Sequence, residues 1–258
     1  MPTPLEILLD PVSLTVLALY AALIVVEALF PARPLPPVRL WRTRAFAVFI
    51  VYFFLSSYLP LVWSEALAPY KLVDLGHVNP YLSAVVAVLC YEFLVYWWHR
   101  AMHGSDVLWR GFHQMHHSAE RIDAWGAFYF HPLDMVGWTV LSSLTLTLGF
   151  GLDPQAVSWF LYATTFLGVV QHTNVRTPQW LGYLVQRPES HSVHHERGVH
   201  RHNYSDLPLW DWVFGTFRNP KDFAGEAGFF PGASARLPQL LLFRDVAGSG
   251  YDATGKRS

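Results

Sequence analysis

Apolar residues in this chain come in long runs rather than in the short alternations of a soluble domain. Five runs stand out, at about 14–30, 45–67, 81–98, 135–150 and 155–171. A membrane-spanning helix needs about 20 such residues, within a range of roughly 17 to 25. The first three runs meet that length. The last two are marginal and are joined by the short turn Gly151-Leu152-Asp153-Pro154. They predict a helical hairpin that need not cross fully. Pro31-Ala-Arg-Pro-Leu-Pro-Pro is a proline-stiffened linker. From Arg176 onward the chain is polar, rich in Trp and punctuated by Gly and Pro, which predicts a cap over the helix ends. The fold expected is all-α: an integral membrane bundle of three to five helices under a helical cap. Three segments are expected: membrane helices and linker over 1–80, a catalytic unit over 81–217, and a C-terminal tail over 218–258, flexible from Gly248.

Composition supports a chain partly dissolved in lipid. Charged residues make up 14%, against about 25% in soluble domains. Aromatic residues reach 16%, with 11 Trp, and Trp and Tyr gather at membrane interfaces. The formal net charge of −1 gives no basis for a nucleic-acid partner. The single cysteine, Cys90, allows no intrachain disulfide and reads as a small buried hydrophobe. Residues 1–10 carry no Lys or Arg and precede an apolar run too long for a signal peptide, so the first run is expected to stay as a membrane helix.

Charge placement orients the bundle. Arg33, Arg39, Arg42 and Arg44 follow the first run, thirteen more Lys/Arg follow the third, and only Lys71 falls on the other side. Because Lys and Arg accumulate on the cytoplasmic side, the cap is expected to face the cytoplasm. Twelve of the 13 histidines lie on that side, and His77 lies opposite.

The histidines are grouped. His99 and His103 form a pair. His113, His116 and His117 form a triplet, and His191, His194 and His195 repeat its spacing. Residues four apart share a helical face, so His99 and His103 can reach one ion. In His-x-x-His-His, positions one and four are expected to share a face while position five points away. Each triplet can then serve two ions. Neutral imidazole suits Zn, Cu, Fe and Ni. The zinc-protease pattern is absent, because His195-Glu-Arg-Gly-Val-His200 is one residue too long. No paired Glu-x-x-His of the carboxylate di-iron bundles occurs. Oxygen chemistry or metal transport remain. Transporters place ligands near the membrane midplane, whereas these cluster at one interface, which favours an enzyme over a metal carrier.

The motifs His99-Arg-Ala-Met-His103, His113-Gln-Met-His116-His117 and His191-Ser-Val-His194-His195 resemble the three histidine boxes of the fatty acid hydroxylase/sterol desaturase superfamily. Arg187-Pro-Glu-Ser, Gln171-His172-Thr-Asn174, Asn203-Tyr-Ser-Asp206 and Leu209-Trp-Asp-Trp-Val-Phe-Gly-Thr216 extend the likeness over about 99–217. The resemblance implies two non-haem irons (zinc is a possible substitute), O2, a lipid substrate drawn from the bilayer, and a separate cytochrome b5- or ferredoxin-like electron donor. It implies hydroxylation first, with desaturation as the alternative. The metal ligands it implies are the eight box histidines and His172. Some relatives carry a further histidine where this chain has Arg176, and many have Gly where it has Ser205.

His131 is expected as a ligand, an outer partner or a helix start. Asp123, Asn174 and Asp211 are expected to hydrogen-bond ligand imidazoles, Asp211 otherwise holding the Trp-Asp segment. His200 and His202 read as solvated. Trp97, Trp98, Trp125, Phe128 and Tyr129 are expected along the substrate path, or else as interface anchors. Without a fused cytochrome domain or a Lys-rich terminal signal, a bacterial inner membrane is the expected location.

Overall fold

A computed structural model describes residues 1–248; the expected flexible stretch falls almost wholly outside them. After a short α1 (Pro4–Leu9), three long helices follow: α2 (Pro11–Leu29), α3 (Trp41–Leu67) and α4 (Pro80–Gly104). Among the described residues these are the three that are long and apolar enough to cross a membrane. Their outward faces carry large apolar side chains such as Leu14, Val26, Val51, Val62 and Val85. An apolar exterior of this kind suits lipid rather than water. Cys90 lies on that exposed side of α4. Its neighbours Ala87 and Val88, not Cys90, face the core.

Helix starts follow a repeated local rule. Asp10-Pro11, Asn79-Pro80, His131-Pro132 and Asp153-Pro154 each put a hydrogen-bond acceptor just before a proline. The proline needs no intrahelical donor at that position, and the preceding side chain accepts from an otherwise orphaned backbone N–H. Asp10 Oδ1 accepts from Val12 at 2.9 Å, Asn79 Oδ1 from Tyr81 at 3.0 Å and Asp153 Oδ1 from Gln155 at 2.8 Å.

Beyond α4 come α5 (Asp106–Leu108), a π-helical turn Trp109–His113, and α6 (Gln114–His117). The expected hairpin is α7 (Pro132–Ser143), continued by a π-helical stretch to Gly149, and α8 (Pro154–Val170). It is inserted among the spanning helices, with α8 against α2 and α4 and α7 against α3. The cap contains α9 (Pro188–His194), α10 (Pro208–Val213) and α11 (Leu237–Leu241). Strands β1 (Val73–Asp74) and β2 (Phe150–Gly151) form one small parallel pair at the end opposite the cap.

The segment 218–248 is not a tail. Phe230, Ala233, Leu240 and Val246 are buried with Trp41, Ala45 and Tyr129 in one core cluster. The proline linker is also tied down. Ala32 N donates to Asn174 O at 2.7 Å, and Asn174 Nδ2 donates to Arg33 O at 2.7 Å.

Candidate metal centre

Four separate segments meet at the cap end of the bundle. The last turn of α4 brings His99 and His103. The π-helical turn and α6 bring His113, His116 and His117. The chain just after α8 brings His172, and α9 brings His191, His194 and His195. A π-helical turn is uncommon and often marks a functional site. Here it delivers His113.

The nine imidazoles fall into two groups. One holds His99, His103, His113, His117 and His194; the other holds His116, His172, His191 and His195. Within each group the nitrogens lie within 4.8 Å of one another. The groups touch, since the rings of His117 and His195 stack with centroids 4.1 Å apart. Each triplet does split between the groups, but not as its spacing suggested. Positions one and five stay together, and position four crosses over. The reason is rotational: at 3.6 residues per turn, position five lies about 40° from position one, whereas position four lies about 60° away on the other side.

The donor set fits metal ions. His99 Nδ1 donates to Tyr204 O at 2.7 Å, His172 Nδ1 to Gly168 O at 2.7 Å and His194 Nδ1 to His202 O at 2.7 Å. His113 Nδ1 donates to the buried Asp134 carboxylate at 2.9 Å. Spending the single proton of a neutral ring on Nδ1 leaves Nε2 as a bare lone pair. Two such lone pairs then face each other, because His99 and His113 Nε2 are 2.9 Å apart. Two lone pairs at that distance repel unless a cation lies between them. Two nitrogens about 2.1 Å from one ion and at right angles are roughly 3.0 Å apart. The Nε2 atoms of His103, His117 and His194 are buried without a partner, as a ligand atom awaiting an ion would be. Burial, reinforced by the neighbouring imidazoles, holds His113, His116, His117, His191, His194 and His195 well below the usual histidine range. They are therefore neutral, as metal ligation requires.

Other residues expected at the site lie elsewhere. His131 starts α7, accepting from Leu133 N at 3.1 Å, and belongs to neither group. Asp123 accepts from Trp41 Nε1 at 2.9 Å and from Arg121 at 2.6 Å, not from an imidazole. Asn174 holds the linker. Asp211 acts one link away: it accepts from Tyr204 N at 2.8 Å and Ser205 N at 2.9 Å. It thereby fixes the strip whose Tyr204 carbonyl holds His99. Arg176 is exposed and pairs with Asp222 at 3.0 Å.

Three contributors were not foreseen. Asp134 is the carboxylate partner of His113, and its signal was an ionisable residue at the mouth of an apolar run. Tyr204 supplies a carbonyl, which carries no sequence signal, and its ring lies edge-on to His99 and His194. His200 is not solvated: its Nδ1 lies 3.0 Å from His117 Nδ1, and burial brings its pKa down to about 4. It adopts φ +43°, beside His202 at +72° and Asn203 at +50°. Left-handed backbone is uncommon outside glycine. Asn203 holds the bend by donating to Ser190 O at 2.8 Å and Arg218 O at 2.9 Å. Asp134→Asn should weaken metal retention about 10–100-fold, the usual effect of losing an outer partner. Metal content after dialysis against a chelator would check this.

A cavity of about 410 Å³ opens from the histidines into the bundle. His99, His113, His116, His172 and His191 form one end, and Val12, Ser13 and Pro60 the other. It follows α3 from Phe49 to Pro60, roughly 16 Å at 1.5 Å per residue. Of the five aromatics expected along a substrate path, Phe128 lines it. Trp97 and Trp98 turn to Phe214 and Phe112. Trp125 packs near Arg42 and Phe46, and Tyr129 bonds to Ser234 O at 2.8 Å.

The fatty acid hydroxylase family model matches residues 84–216, half of the chain, and spans all nine clustered histidines. The chain belongs to the fatty acid hydroxylase/sterol desaturase superfamily. Within that superfamily it is 27% identical to a Delta(7)-sterol-C5(6)-desaturase of Nicotiana tabacum, over 61% of this chain and 57% of the relative. It is 33% identical to the ornithine lipid hydroxylase OlsE of Rhizobium tropici, over 54% and 42%. It is 30% identical to the alkylglycerol monooxygenase of Homo sapiens, over 63% and 35%. The matches thus cover little more than half of these relatives' lengths, or less. No solved structure matches significantly.

Proposed function

We propose that this protein is a membrane lipid hydroxylase with two irons in its histidine cluster. The observation that carries the reading is the union of two imidazole groups with an elongated cavity between apolar helices. His99, His103, His113, His117 and His194 would hold one ion, and His116, His172, His191 and His195 the other. When bound, the irons supply oxygen reduction: with O2, two electrons and two protons, one oxygen atom enters a C–H bond and the other leaves as water.

The chain's own part is positioning. Nδ1 partners hold the rings of His99, His113, His172 and His194 in the orientation that aims Nε2 at an ion. The apolar wall beside Phe128, Phe130 and Trp138 seats a hydrocarbon and excludes water. A substrate of this kind enters from the bilayer. The relatives whose names specify hydroxylation or monooxygenation of lipids support the hydroxylase reading. The basic residues gathered at the cap end support a cytoplasm-facing site in a bacterial inner membrane. Electrons come from a separate cytochrome b5- or ferredoxin-like protein.

Metal analysis of the purified protein, combined with donor-dependent oxygen uptake and lipid profiling, tests the reading. Two irons per chain and a lipid product containing one added oxygen are expected. Zinc alone, with no oxygen uptake in the presence of a donor, would sink it.

A further inference from the structure

The cavity wall is apolar close to the histidines, yet three polar groups converge on it. Tyr52 of α3, Tyr91 of α4 and Asp206 of the strip before α10 all line the same space. Tyr52 and Tyr91 pack against the same apolar cluster around Val95 and Phe130, and Asp206 is bonded to Gln171 on the same cavity wall. Among the described residues neither phenol oxygen has a hydrogen-bond partner. Most serines and threonines on the wall differ in this respect. Ser56 and Ser57 donate to Phe53 O, Ser143 to Thr139 O, and Thr164 to Phe160 O. Their donors are spent inside their own helices.

The three groups are held in place. The Tyr52 ring stacks on Phe128 at 5.3 Å and meets Phe130 edge-on at 5.7 Å. The Tyr91 ring meets Phe160 edge-on at 5.2 Å. Asp206 Oδ1 accepts from Gln171 Nε2 at 2.6 Å, and its backbone N donates to Glu92 at 2.8 Å. A pocket with a few fixed, convergent polar groups in an apolar wall is built to orient a ligand. Two phenols and one carboxylate can both donate and accept. That matches a hydroxyl, which also does both.

We infer that Tyr52, Tyr91 and Asp206 form a binding station for a hydroxyl group of the lipid, selecting substrates that already carry an alcohol. Tyr91 precedes His99 by two turns of α4, about 12 Å of helix. The hydroxyl therefore sits several bonds from the C–H that is oxidised. This inference rests on the lipid-oxygenase reading for the identity of the cavity as a substrate site, but its test does not depend on turnover.

The test measures equilibrium binding of a radiolabelled long-chain alcohol and of the alkane of equal length to the full chain in detergent. Wild type should bind the alcohol at least about ten-fold more tightly, as one hydrogen bond to a charged group would give. Tyr52→Phe with Tyr91→Phe, and separately Asp206→Asn, should shrink that preference while alkane binding holds. Unchanged iron content and elution volume would show that each variant is folded. Equal binding of the two probes by wild type would overturn the inference, as would a preference that survives in folded variants. Were the preference present and lost as expected while oxygen uptake stayed absent, the oxygenase reading would fail and the hydroxyl station would stand.

Discussion

His116→Ala and His194→Ala are each expected to remove one iron per chain and to abolish lipid oxidation. They are chosen because they belong to different groups. Each sits at position four of its triplet and crosses to the ion served mainly by other segments. Partners one bond further out contribute about 10–100-fold to metal affinity or activity, so losing a ligand should exceed that range. Both rings are buried, and each truncation leaves a void where an imidazole stood. Iron counting should therefore accompany activity. An iron content near one per chain in both variants is the expected result. Product formed at the normal rate by either would show that the cluster is not the reaction centre.

Glu189→Leu should have the largest effect on stability. Arg187 and Glu189 form a buried ion pair at 3.0 Å, with side chains 1% and 0% exposed. Glu189 also accepts from Thr177 N and Thr177 Oγ1, both at 2.8 Å. Arg187 donates to Thr177 O at 3.0 Å, Pro220 O at 3.0 Å and Asn219 Oδ1 at 2.7 Å. Removing one partner leaves the other charge buried and unpaired, which destabilises by about 3–5 kcal/mol. The pair sits at the start of α9, so the damage should reach His191, His194 and His195. Thermal unfolding followed together with iron release would measure it. A lowered midpoint with early loss of iron is expected. If the two are uncoupled, the pair does not organise the third box.

The sequence was informative wherever the chemistry was local. The three boxes are short motifs on helical segments, so their spacing marked the eight box histidines that come together, while His172 followed from the family resemblance and the pairing within each triplet was misjudged. The apolar runs marked the long helices because length and composition suffice for that purpose. Long-range partners could not be read. Asp134 lies 21 residues from His113, and Tyr204 lies 105 from His99. His200 meets His117 across 83 residues through a left-handed bend that no motif announced. The substrate path was misjudged for a related reason. Aromatic content shows that rings are present but not which side of a helix they occupy, and Trp97 and Trp98 turned to other aromatic neighbours. The tail was misread because residues 218–248 bury only scattered apolar positions, which leaves no periodic pattern.

The crossing of position four between groups bears on when the centre can form. One group unites four early histidines with His194, and the other joins early His116 to His172, His191 and His195. Neither ion therefore belongs to a single box. During synthesis, a nascent chain that has emerged only as far as α8 owns no complete set for the second ion and lacks one donor for the first. Capture of the second ion is thereby deferred until α9 docks. A finished centre would cross-link the middle and last thirds of the polypeptide, so that metal supply and completion of the fold become one event.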